Sequence, residues 1–353
     1  QKISFTLLIF LVVILSVTST FLFGKIKVSE FKEISYIRKF PDIVDKNPQH
    51  IYHSYSPMGE VHVFDSSMLH FAPGLSDNAC VSLEEMPERA FLGLYTDGDG
   101  PIGIMRQLSE RESKYIEFLP MSGPYNVKKN PNVLLLGLGG GTGIFTALYN
   151  NAQNIDVVES NSEHISLLSK VPEITEFNGN ILKHNKVKVH ETGVRSYVRG
   201  TQNKYDIIEI SLIDGVGLSQ SGGYTIQEHF VYTKEAFKDY INRLNDDGIL
   251  SVTVWNRLSP PRNVPKIMTT IYASLKSMGF KNPEKHIFMY NLLFSTATIL
   301  VKKSDFTDGE IEKLKDFAYR MSFETPMYPG ITKGNEDYSN ILLAYKNLYD
   351  NKS

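Results

Sequence analysis

Two stretches of the chain have residue patterns that are typical of ligand-binding or catalytic sites. The first is the turn GLGGGTG, which follows the apolar run VLLL. Its residues of interest are Gly137, Gly139, Gly141 and Gly143, together with Thr142. Because glycine lacks a Cβ, the backbone of such a turn can approach a ligand closely. A packing turn between a strand and a helix gives the same pattern, so the glycines alone are weakly specific.

An acid downstream of this turn narrows the type of ligand. Glu159 ends the next apolar run, about 18 residues after Gly141, where nucleotide-binding folds place a carboxylate. A carboxylate at that place accepts hydrogen bonds from the ribose hydroxyls. The turn and Glu159 together predict an adenosine-containing ligand, either a dinucleotide or an adenosyl sulfonium.

The second stretch is YDIIEISLIDG, residues 205–215, which reads as a buried strand that runs into a turn. Ser211 ends the strand, and Asp214 is the nearest acid after it. Asp214 suits a catalytic role and the capping of a turn equally well. Glu209 lies within the apolar part of the strand, where a carboxylate must be paired or face a cleft. A structural ion pair is the favoured interpretation of Glu209, and a displaced catalytic base is the alternative.

Strands and helices alternate around these stretches. Five apolar runs read as strands with helical segments between them: VLLLGL, IDVVES, VKVHET, YDIIEIS and ILSVTVW. This order predicts a parallel sheet covered by helices on both faces. Two further runs, HIFMYN and TATILVKK, are joined too closely for a parallel crossover and must pair antiparallel. The prediction is an α/β doubly wound sheet with a reversed last strand. That is the shape of class I S-adenosylmethionine-dependent methyltransferases, which favours the adenosyl sulfonium over the dinucleotide.

The amino-terminal part of the chain has a different character. Residues 3–24 contain no charge and are long enough to span a hydrocarbon core of about 30 Å, which predicts a transmembrane helix rather than a signal peptide. Lysines and arginines follow this run, so the positive-inside rule predicts a single-pass membrane protein with a cytoplasmic globular part. Short alternating runs broken by Pro and Gly, from about residue 50 to 100, predict a small antiparallel β domain.

Composition excludes several classes of partner and site. The formal net charge is -2 and the basic residues are scattered, which gives no electrostatic footprint for nucleic acid. The single cysteine, Cys80, excludes an intramolecular disulfide framework and a cysteine-rich zinc site. No metal site is predicted.

The order of several stretches resembles the spermidine synthase family, and most closely its bacterial members that carry this domain behind membrane-spanning helices. The resemblance runs from about residue 50 to 315 and includes ERESKYIEFLP, GLGGGTG, VVESN, VKVHETGVRSYV, YDIIEISLIDG and EHFVYTKEAFKDYINRLNDDGILSVTVWN. It implies a protein that binds S-adenosylmethionine or decarboxylated S-adenosylmethionine and acts on a small-molecule amine.

The resemblance also implies roles for single residues. Glu159 matches the ribose-binding acid, and Tyr115 and Glu117 match the Tyr-x-Glu of the substrate side. Asp214 matches the second acid of the family's Asp-Ser-Ser-Asp loop, whereas the first acid, the presumed base, falls on Ser211.

These departures from the family's pattern bear on activity. Thr142 and Gly193 stand where two further acids are expected, beside the change at Ser211. A serine hydroxyl does not take a proton from an amine near neutral pH as a carboxylate does. Little or no aminopropyl transfer to putrescine is therefore expected.

The predicted organisation has five segments: a transmembrane helix over 1–25, a juxtamembrane linker over 26–49, a small β domain over 50–105, a Rossmann-like, spermidine-synthase-like domain over 106–325 and a carboxyl-terminal tail over 326–353. The expected function is a membrane-anchored protein that binds S-adenosylmethionine or a derivative. The alternatives are a non-catalytic scaffold or accessory subunit of a membrane complex, and a methyltransferase acting on an unknown acceptor. The expected partners are the membrane, an amine or unknown acceptor, and either a second copy of the chain or a membrane-protein complex.

Overall fold

The computed structural model describes residues 5–23, 32–39, 48–67, 69, 71–84, 86–213, 230–256 and 263–331 of the 353-residue chain. The α-helices in these ranges are α1 (Phe5–Phe23), α2 (Ile34–Lys39), α3 (Ala79–Ser82), α4 (Thr142–Tyr149), α5 (Ser162–Lys170), α6 (Pro172–Phe177), α7 (Val194–Gly200), α8 (Lys234–Asn242), α9 (Asn263–Ser277) and α10 (Asp308–Arg320). The strands are β1 (Gln49–Ser56), β2 (Gly59–Asp65), β3 (Phe91–Thr96), β4 (Asp99–Met105), β5 (Asn132–Leu136), β6 (Asn154–Glu159), β7 (Val187–Glu191), β8 (Tyr205–Ser211), β9 (Leu244–Trp255), β10 (Ile287–Leu292), β11 (Thr296–Lys302) and β12 (Glu324–Met327).

The amino-terminal helix corrects the predicted membrane span. The predicted run 3–24 contains helix α1, whose described residues are Phe5–Phe23. Among the residues that the structure describes, no helix combines the length and apolar character needed to cross a membrane. The predicted transmembrane helix and single-pass membrane location are therefore wrong.

The first four strands form the small antiparallel sheet that the sequence predicts, in the order β1-β2-β3-β4. Val61 and Val63 of β2 and Leu94 of β3 are fully buried. They belong to the same apolar cluster as Val133 and Leu135 of β5. Burial of these side chains in one core fixes the small sheet beside the carboxyl end of β5.

The second sheet has eight strands in the order β12-β10-β11-β9-β8-β5-β6-β7. Strands β5 to β9 pair in parallel, whereas β11 is antiparallel to both β9 and β10. The predicted doubly wound α/β sheet with a reversed last strand is confirmed. Strand β12, which pairs with the outer edge of β10, is an addition that the sequence did not predict.

Helices cover both faces of this sheet. On one face, Phe237 of α8 and Ile271 of α9 pack in the cluster that contains Ile208 of β8. On the other face, Ile144 of α4 and Leu168 of α5 pack in the cluster that contains β5. The central parallel strands β5 and β8 are therefore apolar on both sides, which is why they read as continuous hydrophobic runs.

The strand order reverses at β5. The chain continues from β5 to β6 and β7 on one side, and returns to β8 and β9 on the other. Ligands of open α/β sheets bind at the carboxyl ends of the strands beside such a reversal. The fold thus points to the ends of β5 and β8 as the place for a site.

Candidate active site

A cavity of about 690 Å³ lies at this edge of the sheet. Its walls include the ends of four parallel strands, at Leu136, Glu159, Ser211 and Trp255. The small sheet closes another side through residues of β3 and β4 and the turn between β1 and β2. One cavity therefore brings together residues from both sheets.

The glycine turn connects β5 to α4 beside this cavity. Gly137, Gly139, Thr142 and Gly143 line the cavity, as does Gly140, which the sequence did not single out. Gly141 instead precedes the first residue of α4, with a φ of 90° that favours glycine.

Gly140 has a packing role that explains its identity. A Cβ at this position would lie 1.8 Å from the carbonyl oxygen of Gly103 in β4. The Gly140 carbonyl also accepts a hydrogen bond of 3.0 Å from the backbone N–H of Met105. A larger residue at 140 would push the small sheet away from the turn.

Glu159 ends β6 with its carboxylate held in a fixed orientation. Oε1 accepts a hydrogen bond of 2.7 Å from the backbone N–H of Asn161, and Oε2 accepts one of 3.2 Å from that of Leu138. Leu138 belongs to the glycine turn, so the acid and the turn are joined directly. Each carboxylate oxygen keeps further acceptor capacity. The arrangement can accept hydroxyl donors from a ligand that lies over the turn.

His164 of α5 also lines the cavity, and the sequence did not single it out. Its Nε2 is buried and has no hydrogen-bond partner among the described residues. Burial lowers the pKa of His164, and the nearby Glu159 and Glu163 oppose this shift. The neutral imidazole therefore dominates near pH 7.

Glu209 and Ser211 form a pair at the carboxyl end of β8. Ser211 Oγ donates a hydrogen bond of 2.8 Å to Glu209 Oε1, and both residues line the cavity. Glu209 is 3% exposed, and its Oε2 has no partner among the described residues. Burial raises the pKa of Glu209 to about 7, although the hydrogen bond from Ser211 opposes the shift. No ion pair of Glu209 occurs in the described part of the chain, so the favoured structural interpretation is not supported.

The backbone directly after this pair is strained. Leu212 has a φ of 50°, a left-handed conformation that is uncommon for a branched side chain. Its N–H donates a hydrogen bond of 3.0 Å to the carbonyl of Thr253 in β9, and its side chain lines the cavity. Strain of this kind clusters at functional sites, where surrounding structure holds it in place.

The two residues of the predicted Tyr-x-Glu pattern lie in different surroundings. Tyr115 lines the cavity, and its hydroxyl is buried without a hydrogen-bond partner in the described structure. Burial raises the pKa of this hydroxyl, so it remains protonated and can donate to a ligand. Glu117 instead accepts a hydrogen bond from Tyr149 and does not line the cavity.

Two predicted positions contribute no described contact with the cavity. Asp214 lies outside the described residues. Gly193 precedes the first residue of α7 and is not part of the cavity wall.

The described cavity wall contains acidic side chains but no Lys or Arg. Three of its described residues are carboxylic acids, Glu33, Glu159 and Glu209, and none is Lys or Arg. A wall of this composition favours positively charged ligands.

Comparisons with known proteins agree with this architecture. The spermine/spermidine synthase domain family matches residues 112–305, which is more than half of the chain. A polyamine aminopropyltransferase of Lachnoclostridium phytofermentans is 31% identical over 154 residues, which cover 43% of this chain and 49% of that protein. A polyamine aminopropyltransferase of Methanocaldococcus jannaschii is 30% identical over 178 residues, which cover 50% of this chain and 55% of that protein. The chain thus spans about half the length of these curated relatives.

A solved structure shares the fold. It is that of a probable spermidine synthase from Corynebacterium glutamicum, with a TM-score of 0.50 and 12% identity, covering 84% of this chain and 94% of that one. At this identity the likeness concerns the fold alone. The family match over residues 112–305 carries the assignment, and the chain belongs to the spermine/spermidine synthase family.

Proposed function

We propose that this chain transfers an aminopropyl group from decarboxylated S-adenosylmethionine to an amine, with Glu209 as the final proton acceptor. The observation that carries the proposal is the hydrogen-bonded pair of Glu209 and Ser211 in the wall of an acidic cavity. The sequence expectation of little activity rested on Ser211, Thr142 and Gly193, which stand where the family has acids. A displaced base at Glu209 was the alternative. The contact with Glu209 supplies a carboxylate next to Ser211.

Strand geometry explains how an acid two residues away can serve this position. Successive side chains of a strand alternate between faces, so residues 209 and 211 point to the same side. Glu209 is buried too deeply to meet an acceptor amine directly, since its Oε2 is enclosed. Ser211 is half-buried at the strand end and already donates its proton toward Glu209. The serine hydroxyl can therefore accept a proton from an amine as it passes its own proton to the carboxylate.

The pKa of Glu209 suits this task. A general base works best when its pKa lies near the working pH. Burial has raised the pKa of Glu209 to about 7, which leaves a substantial ionised fraction at neutral pH and gives the carboxylate more basicity than an exposed one.

The reaction balances with these groups. The amine nitrogen donates its lone pair to the propyl carbon next to the sulfonium, and the carbon–sulfur bond breaks with its electron pair moving to sulfur. The sulfonium thereby becomes a neutral thioether, methylthioadenosine. Before the attack, one proton of the substrate ammonium moves to Ser211 Oγ, whose own proton moves to Glu209; this frees the nitrogen lone pair, and the product remains a secondary ammonium.

Charge in the cavity supports the choice of donor. Intact S-adenosylmethionine carries a carboxylate, whose ordinary side-chain partner is Arg or Lys. The described cavity wall contains neither, and its three acids favour a donor with two positive charges. The glycine turn and Glu159 offer backbone and carboxylate contacts for the adenosine part.

The decisive experiment is a two-donor turnover assay with the full chain. Decarboxylated S-adenosylmethionine and intact S-adenosylmethionine are each supplied with putrescine, longer diamines and polyamines. We expect amine-dependent release of methylthioadenosine from the decarboxylated donor. Release of S-adenosylhomocysteine from the intact donor instead would assign methyl transfer. Absence of product from both donors would favour the scaffold alternative.

Binding of the donor has its own test at Glu159. Hydrogen bonds to a charged group contribute about 1.5 to 3 kcal/mol, so Glu159→Ala should weaken binding of methylthioadenosine at least about tenfold in calorimetry. Glu173→Ala is the matched control, since Glu173 is exposed in the first turn of α6. Thermal unfolding of both variants separates a lost ligand contact from a collapsed turn. Equal affinity of a folded Glu159→Ala variant would contradict its assigned role.

A further inference from the structure

Three histidines and a glutamate share one face of the hairpin formed by β1 and β2. His53 of β1 pairs with His62 of β2, and the next cross-strand pair on the same face is Tyr55 with Glu60. His50 lies further along β1 on the same face, with its Nε2 3.1 Å from His62 Nδ1. These residues lie outside the cavity wall and take no part in the proposed transfer.

The side chains of this cluster converge on one point. His53 Nε2 lies 2.8 Å and His62 Nε2 lies 3.3 Å from the same oxygen, Glu60 Oε1. The three ligand atoms lie within 4.8 Å of one another. Tetrahedral zinc with bonds of about 2.0 to 2.2 Å holds neighbouring ligand atoms roughly 3.3 to 3.5 Å apart. We propose that His53, Glu60 and His62 bind a divalent transition-metal ion of the zinc type.

A neighbouring histidine supports one of the proposed ligands. If His62 Nδ1 carries the proton and donates to His50, its Nε2 presents a lone pair. A ligand histidine held through its other nitrogen is the usual support of a metal site.

The donor set also selects the class of metal. Two imidazoles and one carboxylate suit zinc, cobalt, nickel and copper, whereas magnesium and calcium prefer oxygen ligands alone. Three protein ligands leave at least one coordination position of the ion for water. Water can reach this position because His53 is exposed. The rings of His53 and His62 are stacked 4.4 Å apart, so binding turns the exposed ring of His53 toward the shared point.

The consequence of binding is a crosslink within the small sheet. Strand β1 is the edge of this sheet, and the metal joins it to β2 on the side of Glu60. The turn between these strands carries Met58, which lines the cavity. Metal binding therefore stiffens one wall of the cavity without contacting the residues proposed for the reaction.

The test uses the full chain after treatment with a chelator. Calorimetry with zinc chloride should give one ion per chain, and cobalt chloride should give the visible absorption of a tetrahedral or five-coordinate site. Loss of a group that merely supports a ligand weakens metal binding about 10- to 100-fold, so His53→Gln and Glu60→Gln should each weaken zinc binding at least tenfold. Both residues lie at the surface, so these variants should fold.

His184→Gln is the matched control, since His184 is exposed and remote in sequence from the hairpin. It should bind zinc as the unaltered chain does, and magnesium should bind to none of the proteins. Zinc should raise the melting temperature of the unaltered chain and of His184→Gln, but not of the two ligand variants. Absence of zinc binding, or equal zinc affinity in His53→Gln and Glu60→Gln, would overturn the site.

Discussion

Glu209 and Glu112 are the same residue type in opposite electrostatic surroundings. Glu112 lies at the surface side of the fold, where Arg106 Nη2 donates to its Oε1 over 2.5 Å. The N–H and hydroxyl of Ser109 each donate to its Oε2 over 2.9 Å. The hydrogen bond from Arg106, and then those from Ser109, lower the pKa of Glu112 to about 2 against the opposing effect of burial. Burial raises the pKa of Glu209 to about 7.

These surroundings distinguish an acid that stabilises the fold from one that can take part in a reaction. Arg106 and Ser109 hold both oxygens of Glu112, and Glu112 does not line the cavity, so its carboxylate stabilises the fold and does not meet a substrate there. Glu209 receives a single hydrogen bond, and its second oxygen has no partner in the described structure. A buried carboxylate with an unpartnered oxygen lowers the stability of the fold. The cavity beside Glu209 explains the arrangement if the carboxylate takes part in the reaction.

The largest expected effect is on turnover. Glu209→Gln removes the proton acceptor while keeping size and the acceptor oxygen for Ser211. General-base assistance contributes about 10²- to 10⁴-fold, so kcat for aminopropyl transfer should fall by that factor. Glu112→Gln, which changes the paired acid in the same way, should leave kcat within about twofold. Full activity in Glu209→Gln would remove this residue from the mechanism.

The second prediction concerns how the free energy of unfolding changes with pH. Glu209→Gln, which should lower turnover, should raise stability relative to the unaltered chain at higher pH. The pKa of Glu209 is raised from 4.5 to about 7, so between these values the folded chain holds a proton that the unfolded chain has released. The unaltered chain therefore loses stability as pH rises through this window, on the order of 3 kcal/mol in total. Glu209→Gln should lack this loss.

Urea unfolding at pH 5 and pH 8 measures the second effect. The stability of Glu209→Gln relative to the unaltered chain should increase between the two pH values. A variant whose relative stability is the same at both would show that the pKa of Glu209 is not raised. The combination of lower turnover with higher relative stability at pH 8 is what a buried catalytic acid predicts and a structural ion pair does not.

Most of the fold was predictable because its signals are local. The alternation of apolar runs and helices gave the parallel sheet, and the short connection between HIFMYN and TATILVKK required β11 to run in reverse. Strand β12 was missed because it is four residues long and pairs only with the edge of β10. The membrane span was wrong because an uncharged run was equated with a spanning helix, whereas no described helix has the combined length and apolar character for crossing a membrane.

The site was less predictable because its contacts join distant parts of the chain. The sequence predicted that the glycine turn and Glu159 lie near each other. It could not show which way the side chain of Glu209 points, or whether a Lys or Arg side chain forms an ion pair with it. The strand period offered a partial signal, since residues 209 and 211 had to share a face. The pairing of His53 with His62 was also accessible, because a two-residue turn at 57–58 fixes the register of β1 and β2.

The smallest expected effect tests the structural member of the comparison. Glu112→Gln removes the charge that Arg106 and Ser109 stabilise, and we expect a loss of about 1 kcal/mol in the free energy of unfolding at pH 7, since the pair is partly exposed to solvent. The pKa of Glu112 is lowered from 4.5 to about 2, so its contribution is complete above about pH 4.5 and disappears as pH falls toward 2. Urea unfolding of both proteins at pH 7 and pH 3 should show the gap between them narrowing at the lower pH. A gap that stays constant would mean that Glu112 stabilises the fold through packing or neutral hydrogen bonds. In that event the contrast with Glu209 would rest on burial alone, and pairing with a cation would no longer distinguish the structural acid from the catalytic one.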